Sequence, residues 1–539
     1  MAVKFHRAPA AGTGSRADFR SRRTGAGTAL CAAMHINISQ FGAVGDGTTL
    51  NTKAIQAALD AVGAGGIVLV PPGTFLTGTI FLRSNTVLEL LPGATLLGSP
   101  RLADYTRLTS GVAGDRTGYH LVVADGVQNV TIRGQGTIDG NGPAFWEPTA
   151  GHRLEEYPQR APDPATGRLM WIFATDAHAG RPSPMVELRH SQDVRVENVH
   201  LTNSGGWTLH PFDCDRVWIR GIRISSNLMG PNNDGIDVTE CRDVLISDCD
   251  ISCCDDAICL KTYPDGRACE RVTVTNCVIR TLCAAFKTGE AFGHFRQITF
   301  SNSVVYECSR AVALYADDNG LVEDVTIANI VCDTRSPLMM NRPIHIEASA
   351  KGFYQPNLDG IPHGKRPARG IRNVSIANFI ARTDGRILLT AEPGTTLENI
   401  TLRDLHLIYP TVDDPDPIGA SVGGSQFSKS NPAARVARGA VVAENVRGLV
   451  VDGLRVDWPA VDAQGRVQTP AEWLFARKAA NGSRELYERA QFNHDTIPAF
   501  AVLWGRNLQG GYVRAPLAQP PRSDLPKFDL VNSTIAVDS

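Results

Sequence analysis

Three aspartates occupy two turn-like segments in the middle of the chain. Residues 231–237 contain Asp234, and residues 253–261 contain Asp255 and Asp256. Carboxyl groups held within a few ångströms of one another cannot all ionise at their usual pKa, so such a group offers a proton donor beside ionised bases. Hydrolysis of a glycosidic bond needs this division, because one carboxyl group protonates the leaving oxygen while another activates water.

The same residue types also fit two other interpretations. Asp-Gly and Asp-Asp pairs are common at turns, where the carboxylate hydrogen-bonds to nearby backbone. Clustered aspartates also bind calcium, in a structural site or in a lyase. Two acidic turns separated by 21 positions, Asp234 and Asp255, favour catalysis over two unrelated turns. We expect no metal ion and no other cofactor.

Both turns belong to a repeat that runs through most of the chain. A polar pair precedes Val or Ile, any residue, an apolar residue and then Asn, Asp or Gly. Copies are spaced by 23 to 28 residues between Val194 and Val325, and then by 49, 26 and 50, which suggests that some gaps hold two repeats. The anchors are Val130, Val194, Val217, Val244, Val272, Ile298, Val325, Val374, Ile400 and Val450.

Alternation with period two over four or five residues is typical of a short β-strand. One such strand cannot bury its apolar side alone, and no amphipathic helix separates the copies, so the repeats are expected to stack as coils. The sequence therefore predicts an all-β fold, a right-handed parallel β-helix. Strands of neighbouring coils lie about 4.8 Å apart, which would place Asp234 beside Asp255 and Asp256.

The repeat also sets the predicted domain organisation. Residues 1–34 are predicted to be a disordered leader, or a misassigned start that precedes the true start at Met34. Residues 35–515 are predicted to form one β-helix hydrolase domain. It begins with a short helical cap at 52–62, in which Thr52 is the N-cap and Gly63 stops the helix. A second helix is expected near 472–490. The proline-rich residues 516–539 are expected to form an extended tail.

Charge and hydropathy exclude two classes of partner. The chain has 53 basic and 55 acidic side chains, which leaves no electrostatic footprint for nucleic acid. It has no apolar stretch long enough to span a membrane. A start at Met34 predicts a cytoplasmic protein, whereas a leader with Arg22-Arg23 before a short apolar run would export it to the periplasm or the extracellular space.

Cysteines recur at fixed places in the repeat. Cys241 and Cys269 each precede a polar-Val anchor, and Cys249 and Cys277 each follow one. Equivalent places on stacked coils predict ladders of buried thiols rather than a zinc site. Bridges between adjacent rungs would form under oxidising conditions.

The acidic turns and their spacing resemble the catalytic motifs of glycoside hydrolase family 28, the polygalacturonase and rhamnogalacturonase group. The matching stretch runs from about residue 36 to residue 458 and includes 41–47, 65–73, 136–142 and 207–211. This resemblance implies a pectin lyase-like β-helix and a metal-independent, inverting hydrolase. It also implies that Asp255 is the general acid and that Asp234 and Asp256 activate water.

Two motifs of that family are altered. Ala284 stands where the family's Gly-His-Gly motif has its histidine. The next coil runs from Arg310 to Tyr315 as Arg-Ala-Val-Ala-Leu-Tyr, with apolar residues at both basic positions of the Arg-Ile-Lys that holds galacturonate. These changes favour exo-acting or rhamnogalacturonase-like cleavage over cleavage within polygalacturonan. The insertion at 150–180 would close one end of a cleft and also favour cleavage from a chain end.

Further polar side chains near the acidic turns are candidates for substrate binding. Each also has an ordinary structural interpretation, such as a turn cap for an arginine or a solvated coil residue for a lysine. These candidates are Lys287, Glu290, Arg310, His345 and His210.

We therefore expect a glycoside hydrolase that acts from a chain end on pectic galacturonate or rhamnogalacturonan chains. The alternatives are a β-helix lyase or epimerase that uses calcium with Lys261 or Lys287, and a carbohydrate-binding β-helix without activity. The expected partner is a uronate- or rhamnose-containing oligosaccharide, and the sequence leaves the oligomeric state open.

Overall fold

The computed structural model describes residues 34–109, 116–148, 171–173, 180–228, 230, 232–335, 341–350, 366–410, 412, 432–435, 437–460, 463 and 500–538. Within these residues, strands of successive coils pair in parallel. The exception is a small antiparallel pair, Trp146–Pro148 with Trp171–Phe173. The chain is therefore a parallel β-helix, as the repeat predicts.

Two long sheets make up the described part of the β-helix. One has thirteen strands: Ile80–Phe81, Val122–Asp125, Val186–Arg189, Leu209–Phe212, Ile236–Thr239, Ile258–Thr262, Ala284–Ala291, Arg310–Ala316, Arg342–Ala348, Ile387–Ala391, Gly439–Glu444, Ala501–Arg506 and Phe528–Val531. The other has twenty-four strands and covers the remaining sides: His35–Asn37, Asp46–Leu50, Ile67–Val70, Gly73–Thr77, Val87–Leu90, Ala94–Gly98, Gln128–Gly134, Thr137–Asp139, Gln192–Glu197, His200–Thr202, Asp215–Arg220, Arg223–Ser225, Arg242–Ser247, Asp250–Cys253, Cys269–Thr275, Val278–Thr281, His294–Tyr306, Leu321–Thr334, Gly370–Thr383, Leu397–Ile408, Val446–Asp452, Arg455–Asp457, Gln509–Arg514 and Ala536–Asp538.

The repeat anchors pair in register along the twenty-four-stranded sheet. Val217 lies beside Val244, and Val244 lies beside Val272. All three are buried, because residues of the same parity on stacked strands face the same core. This register confirms the repeat as the unit of the fold.

Two details of the predicted repeat were wrong. Val325 pairs directly with Val374, so the gap of 49 residues is one coil with an insertion rather than two repeats. In the last copy, Val450 pairs with Thr401, one place from the anchor row. Leu449 takes the buried anchor position, and the apolar run from Leu449 to Val451 had left the alternation ambiguous.

The polar residues of the repeat form the corners of each coil. Asp243 and Arg271, each immediately before an anchor valine, have φ of 57° and 55°. Asp248 and Asn276, at the end of the strand, have φ of 59° and 57°. Asn and Asp tolerate this left-handed conformation better than most residues do, which explains why they recur at these corners.

The predicted cysteine ladders are present. Glu270 N donates to Cys241 O at 3.1 Å and Val278 N to Cys249 O at 2.9 Å, which stacks each cysteine on the one that follows in the next coil. All eleven cysteines in the described ranges are buried thiols that form no disulfide.

The N-terminal cap is the helix Thr52–Ala61. The prediction of Thr52 as N-cap was wrong, because Asn51 is the capping residue and Thr52 is the first helical residue. The Thr52 hydroxyl instead accepts a hydrogen bond from Gly78 N at 2.7 Å, which ties the helix to the first coils. The other helices described are Pro432–Arg435 and the 3-10 helices Ile38–Phe41, Leu102–Asp104 and Gly142–Phe145.

The C-terminal residues continue the coils. Phe528–Val531 pairs with Ala501–Arg506, and Ala536–Asp538 pairs with Gln509–Arg514. The region predicted as an extended tail, 516–539, thus includes two strands of the β-helix. Residues 1–33 and the helix predicted at 472–490 lie outside the described residues, and the cellular location stays a prediction. No helix in the described ranges is both long enough and apolar enough to cross a membrane.

Candidate active site

The three aspartates lie at the entrance to two adjacent strands of the thirteen-stranded sheet. Strand Ile236–Thr239 follows Asp234, and strand Ile258–Thr262 follows Asp255 and Asp256. Ile236 and Ile258 are paired, and Gly235 N donates to Asp256 O at 2.9 Å. The coil spacing therefore brings the two acidic turns together as the sequence predicts.

Asp256 is held as an ionised base. It is buried and forms an ion pair with Lys287. The backbone N–H of Ala284 donates to Asp256 Oδ1 at 3.3 Å. Although burial acts to raise the pKa of Asp256, the charges of Lys287 and Arg310 hold this pKa below its ordinary value.

Asp234 has the opposite tendency. It is buried, and its closest cation is the Lys261 ammonium, which lies 3.6 Å from Oδ2. Burial and the nearby carboxylates of Asp237 and Asp255 raise the pKa of Asp234 well above its ordinary value. A carboxyl group with a raised pKa and one with a lowered pKa therefore lie together at this corner.

Asp255 is the most accessible of the three aspartates. It is half-buried, whereas Asp234 and Asp256 are buried. Its carboxylate accepts a hydrogen bond from Asp256 N at 3.0 Å, and its carbonyl accepts one from the Thr281 hydroxyl. These hydrogen bonds hold Asp255 in place, and its side chain remains partly exposed to solvent. A residue that donates a proton to a substrate needs both properties.

Lys261 connects Asp234 to two further acids. Its ammonium lies 3.1 Å from Asp237 and 3.3 Å from Glu290, and 3.5 Å from the centre of the Trp207 ring. Burial alone would lower the pKa of Lys261, but the charges of Asp237 and Glu290 raise it well above its usual value. Burial raises the pKa of Asp237 to about 7, even against the opposing charge of Lys261.

Two of the predicted substrate-binding residues border this cluster. Lys287 contacts Asp256, and Glu290 contacts Lys261. Their side chains are 20% and 19% exposed, which makes this edge of the cluster the one open to solvent. Their substrate contacts stay predictions.

Arg310 and His345 lie on the two coils beyond Lys287. Arg310 Nη1 donates to the Tyr315 hydroxyl at 3.2 Å, and that hydroxyl lies 3.0 Å from His345 Nδ1. The other ring nitrogen of His345 lies 3.0 Å from Glu347. Burial lowers the pKa of His345 to about 4, so the ring is neutral at pH 7. His345 is thus bonded within the protein rather than exposed at a cleft.

His210 is arranged in the same way on an earlier coil. Its Nδ1 lies 2.7 Å from Glu187 and its Nε2 lies 2.9 Å from the Thr239 hydroxyl. The side chain is fully buried, and burial lowers the pKa of the imidazole. A direct substrate contact by His210 or by His345 would displace one of these bonds, and both contacts stay predictions.

One group of side chains has donor atoms close enough to share a metal ion. The donor atoms of Asp255, Asp256 and Cys283 lie within 4.8 Å of one another. Calcium prefers six to eight oxygen ligands, whereas this set offers two carboxylates and a thiol, with the Lys287 ammonium already against Asp256. The donor set fits calcium poorly, which weakens the calcium-dependent lyase interpretation.

Sequence reasoning missed the central part of the charged cluster. Lys261 was considered only for a lyase or epimerase. Alternation carried a usable signal, because Ile236 and Val238 face the core and therefore turn Asp237 toward the side of the sheet that carries Lys261. The insertion at 150–180 lies mostly outside the described residues, and its role at the cleft stays a prediction.

Two family models match separate parts of the chain. Residues 167–281, which contain all three aspartates, match glycosyl hydrolases family 28. Residues 35–146 match the rhamnogalacturonase A/epimerase, pectate lyase-like model. The coils that carry the three aspartates and the N-terminal coils are thus each matched by a family model.

Curated polygalacturonases are similar to part of this chain. A probable polygalacturonase from Vitis vinifera is 32% identical over 247 residues, which cover 43% of this chain and 45% of the relative. An exo-poly-alpha-D-galacturonosidase from Dickeya chrysanthemi is 32% identical over 255 residues, or 41% of each protein. The chain therefore spans less than half the length of these relatives.

Solved structures show a similar fold. The family 28 exopolygalacturonase of Yersinia enterocolitica has a TM-score of 0.61 at 19% identity, covering 80% of this chain and 76% of the other. A hyperthermoactive exopolygalacturonase from Thermotoga maritima has a TM-score of 0.55 at 25% identity, covering 70% and 87%. With the acidic corner and the matching family model, these findings confirm the resemblance seen in the sequence: the chain is a divergent relative of glycosyl hydrolases family 28.

Proposed function

We propose that this protein is a glycoside hydrolase that releases sugars from an end of galacturonate-containing pectic chains by single displacement with water. The observation that carries this proposal is the corner formed by Asp234, Asp255 and Asp256. There, one carboxylate is kept ionised by Lys287 beside a carboxyl group whose pKa is raised. The names of the relatives support galacturonan as the substrate and cleavage from a chain end.

In the proposed reaction, Asp255 gives its proton to the oxygen that links two sugars, because it is the accessible member of the trio. The bond between that oxygen and the anomeric carbon breaks. A water molecule attacks the same carbon from the opposite face, and Asp256, assisted by Asp234, takes the proton that this water loses. The interacting carboxyl groups titrate as a set, so the raised pKa of Asp234 keeps a proton available within the trio.

The direct test is an Asp255→Asn variant assayed for sugar release from galacturonate oligomers. We expect activity to fall by at least about 1,000-fold, in the upper part of the range for loss of a general acid, with unchanged folding. Asp265→Asn is the matched control, since it makes the same chemical change at an exposed turn outside the cluster. Full activity in the Asp255 variant would remove Asp255 as the acid.

The same assay separates the two competing functions. A lyase would give a product that absorbs in the ultraviolet and would lose activity when calcium is chelated. A binding protein without activity would retain the oligosaccharide and release nothing. Chromatography of early products distinguishes release of end sugars from internal cleavage, which gives a broad size range.

A further inference from the structure

Arg116 is a buried cation with no role in the chemistry described above. It lies just before strand Val122–Asp125 and is only 3% exposed. Its guanidinium carbon lies 4.6 Å from the centre of the Tyr263 ring and 4.8 Å from that of Phe212. Within the described part of the chain, Nε and Nη1 of this arginine have no hydrogen-bond partner.

The acids that act on the charge of Arg116 are bonded to other groups. Glu187 lies 2.7 Å from His210 Nδ1, and Glu240 accepts a hydrogen bond from Tyr263 N at 2.9 Å. Leaving Nε and Nη1 buried without hydrogen bonds is costly, because each unsatisfied donor loses its bonds to water. Arg116 is therefore suited to receive an anionic ligand.

A row of three rings links Arg116 to the catalytic cluster. Phe212 stacks on His210 with ring centres 5.8 Å apart, and His210 meets Trp207 edge-on at 5.3 Å. Arg116 covers one end of this row and Lys261 covers the other. Lys261 also contacts Asp234, so a row of largely buried side chains connects Arg116 to the three aspartates.

The cluster has more hydrogen-bond acceptors than donors. One ammonium, Lys261, has three N–H groups and serves the carboxylates of Asp234, Asp237 and Glu290. Asp234 Oδ1 is buried and has no hydrogen-bond partner among the residues described. A ligand that bound between the two cations would bring hydroxyl donors for the carboxylates and an anionic group for the arginine. A uronic acid sugar carries both.

We propose that Arg116, together with Lys261, binds the carboxylate of the terminal uronate sugar, while Asp237 and Glu290 accept hydrogen bonds from its hydroxyl groups. This inference rests on the proposed function, since it places that sugar next to Asp234. Lys287 and Glu290 are the more exposed members of the cluster, whereas Arg116 lies buried at the far end of the row of rings. A guanidinium at this end selects a charged chain terminus by charge-assisted hydrogen bonds.

The test compares galacturonate oligomers with their methyl esters as substrates. In Arg116→Gln, the ratio of kcat/KM for the acid over kcat/KM for the ester should fall about 10- to 100-fold, the range for a hydrogen bond to a charged group. Arg195→Gln is the matched control, because its guanidinium lies 4.4 Å from the Trp218 ring on the twenty-four-stranded sheet. The control should keep the wild-type ratio. An unchanged ratio in Arg116→Gln overturns the inference and leaves the proposed hydrolysis intact.

A binding measurement covers the case in which no substrate is cleaved. Calorimetry with the Asp255→Asn protein should show free galacturonate binding more tightly than galactose. Adding Arg116→Gln should abolish that difference, and Arg116→Lys should retain part of it. If the difference is absent, or does not depend on Arg116, the inference is wrong whether or not the protein is a hydrolase. Circular dichroism of each variant verifies folding.

Discussion

Strands of the same coils present charged side chains on two different sheets. On the twenty-four-stranded sheet, Arg271 donates two hydrogen bonds to Asp243 of the preceding coil, from Nε to Oδ1 at 2.5 Å and from Nη2 to Oδ2 at 3.1 Å. The two side chains are 42% and 45% exposed. On the thirteen-stranded sheet, Lys261 meets Asp234 and Asp237 with side-chain exposures of 5% or less. The first pair is better aligned, yet water screens it.

This difference indicates what each kind of charge does. An exposed pair contributes little to stability, because water already solvates both partners. A buried pair costs desolvation and stays folded only while each charge has a counter-charge. We interpret the buried cluster as retained for binding and catalysis. The exposed pairs only connect residues at equivalent places on neighbouring coils. Three predictions test this contrast.

Lys261→Met should have the largest effect on stability. It leaves Asp234, Asp237 and Glu290 without their shared cation, and breaking a buried ion pair from one side typically costs about 3–5 kcal/mol. Urea denaturation measures this loss, and Lys261→Arg, which keeps the charge, should retain most of the stability. A loss below about 1 kcal/mol in the methionine variant would mean that the cluster is no different from a surface pair.

His345 should make the protein sensitive to acid. Its pKa is about 4 in the folded protein, below the ordinary value of 6.5. As the pH falls from 6.5 to 4, the unfolded chain takes up the proton first, so folded stability decreases by about 3 kcal/mol from this residue.

His345→Gln should remove that part of the acid sensitivity, measured as the difference in unfolding free energy between pH 7 and pH 4. His35→Gln, at an exposed residue, should leave the sensitivity as in the wild type. An equal loss of stability on acidification in the wild type and in His345→Gln would contradict the assignment of a neutral, buried imidazole.

Arg271→Gln should have the smallest effect. Its partner Asp243 remains solvated, so the free energy of unfolding should change by less than about 1 kcal/mol. A double-mutant cycle with Asp243→Asn measures the coupling directly. A coupling energy near that of the buried cluster would remove the distinction between the two sheets.

Much of the fold was predictable because the repeat encodes its own geometry. Alternation identified the buried anchors, and the recurring Asn and Asp marked corners that need positive φ. The juxtaposition of Asp234 with Asp255 followed from the coil length alone. The predicted number of coils was wrong. An inserted loop and an extra coil lengthen the spacing between repeat anchors in the same way, as between Val325 and Val374.

The site was predictable only in its acidic part. A turn sequence identifies Asp255 and Asp256, but the lowered pKa of Asp256 depends on Lys287 and Arg310, which come from strands of later coils. Arg116 lies more than 100 positions from Asp234 in the sequence and reaches the cluster through aromatic packing that no local pattern encodes. The prolines at 516–539 suggested an extended tail. They obscured the short strand segments in the same region, which form part of the last coils.

The central claim is single displacement by water at the acidic corner. Proton NMR of the first product formed from a galacturonate oligomer, recorded before the released sugar equilibrates, reports the configuration of the new anomeric centre. The account predicts a configuration inverted relative to the bond that was cleaved, with no such product from Asp255→Asn. A retained configuration would contradict it, because retention requires a carboxylate to attack the sugar in place of water.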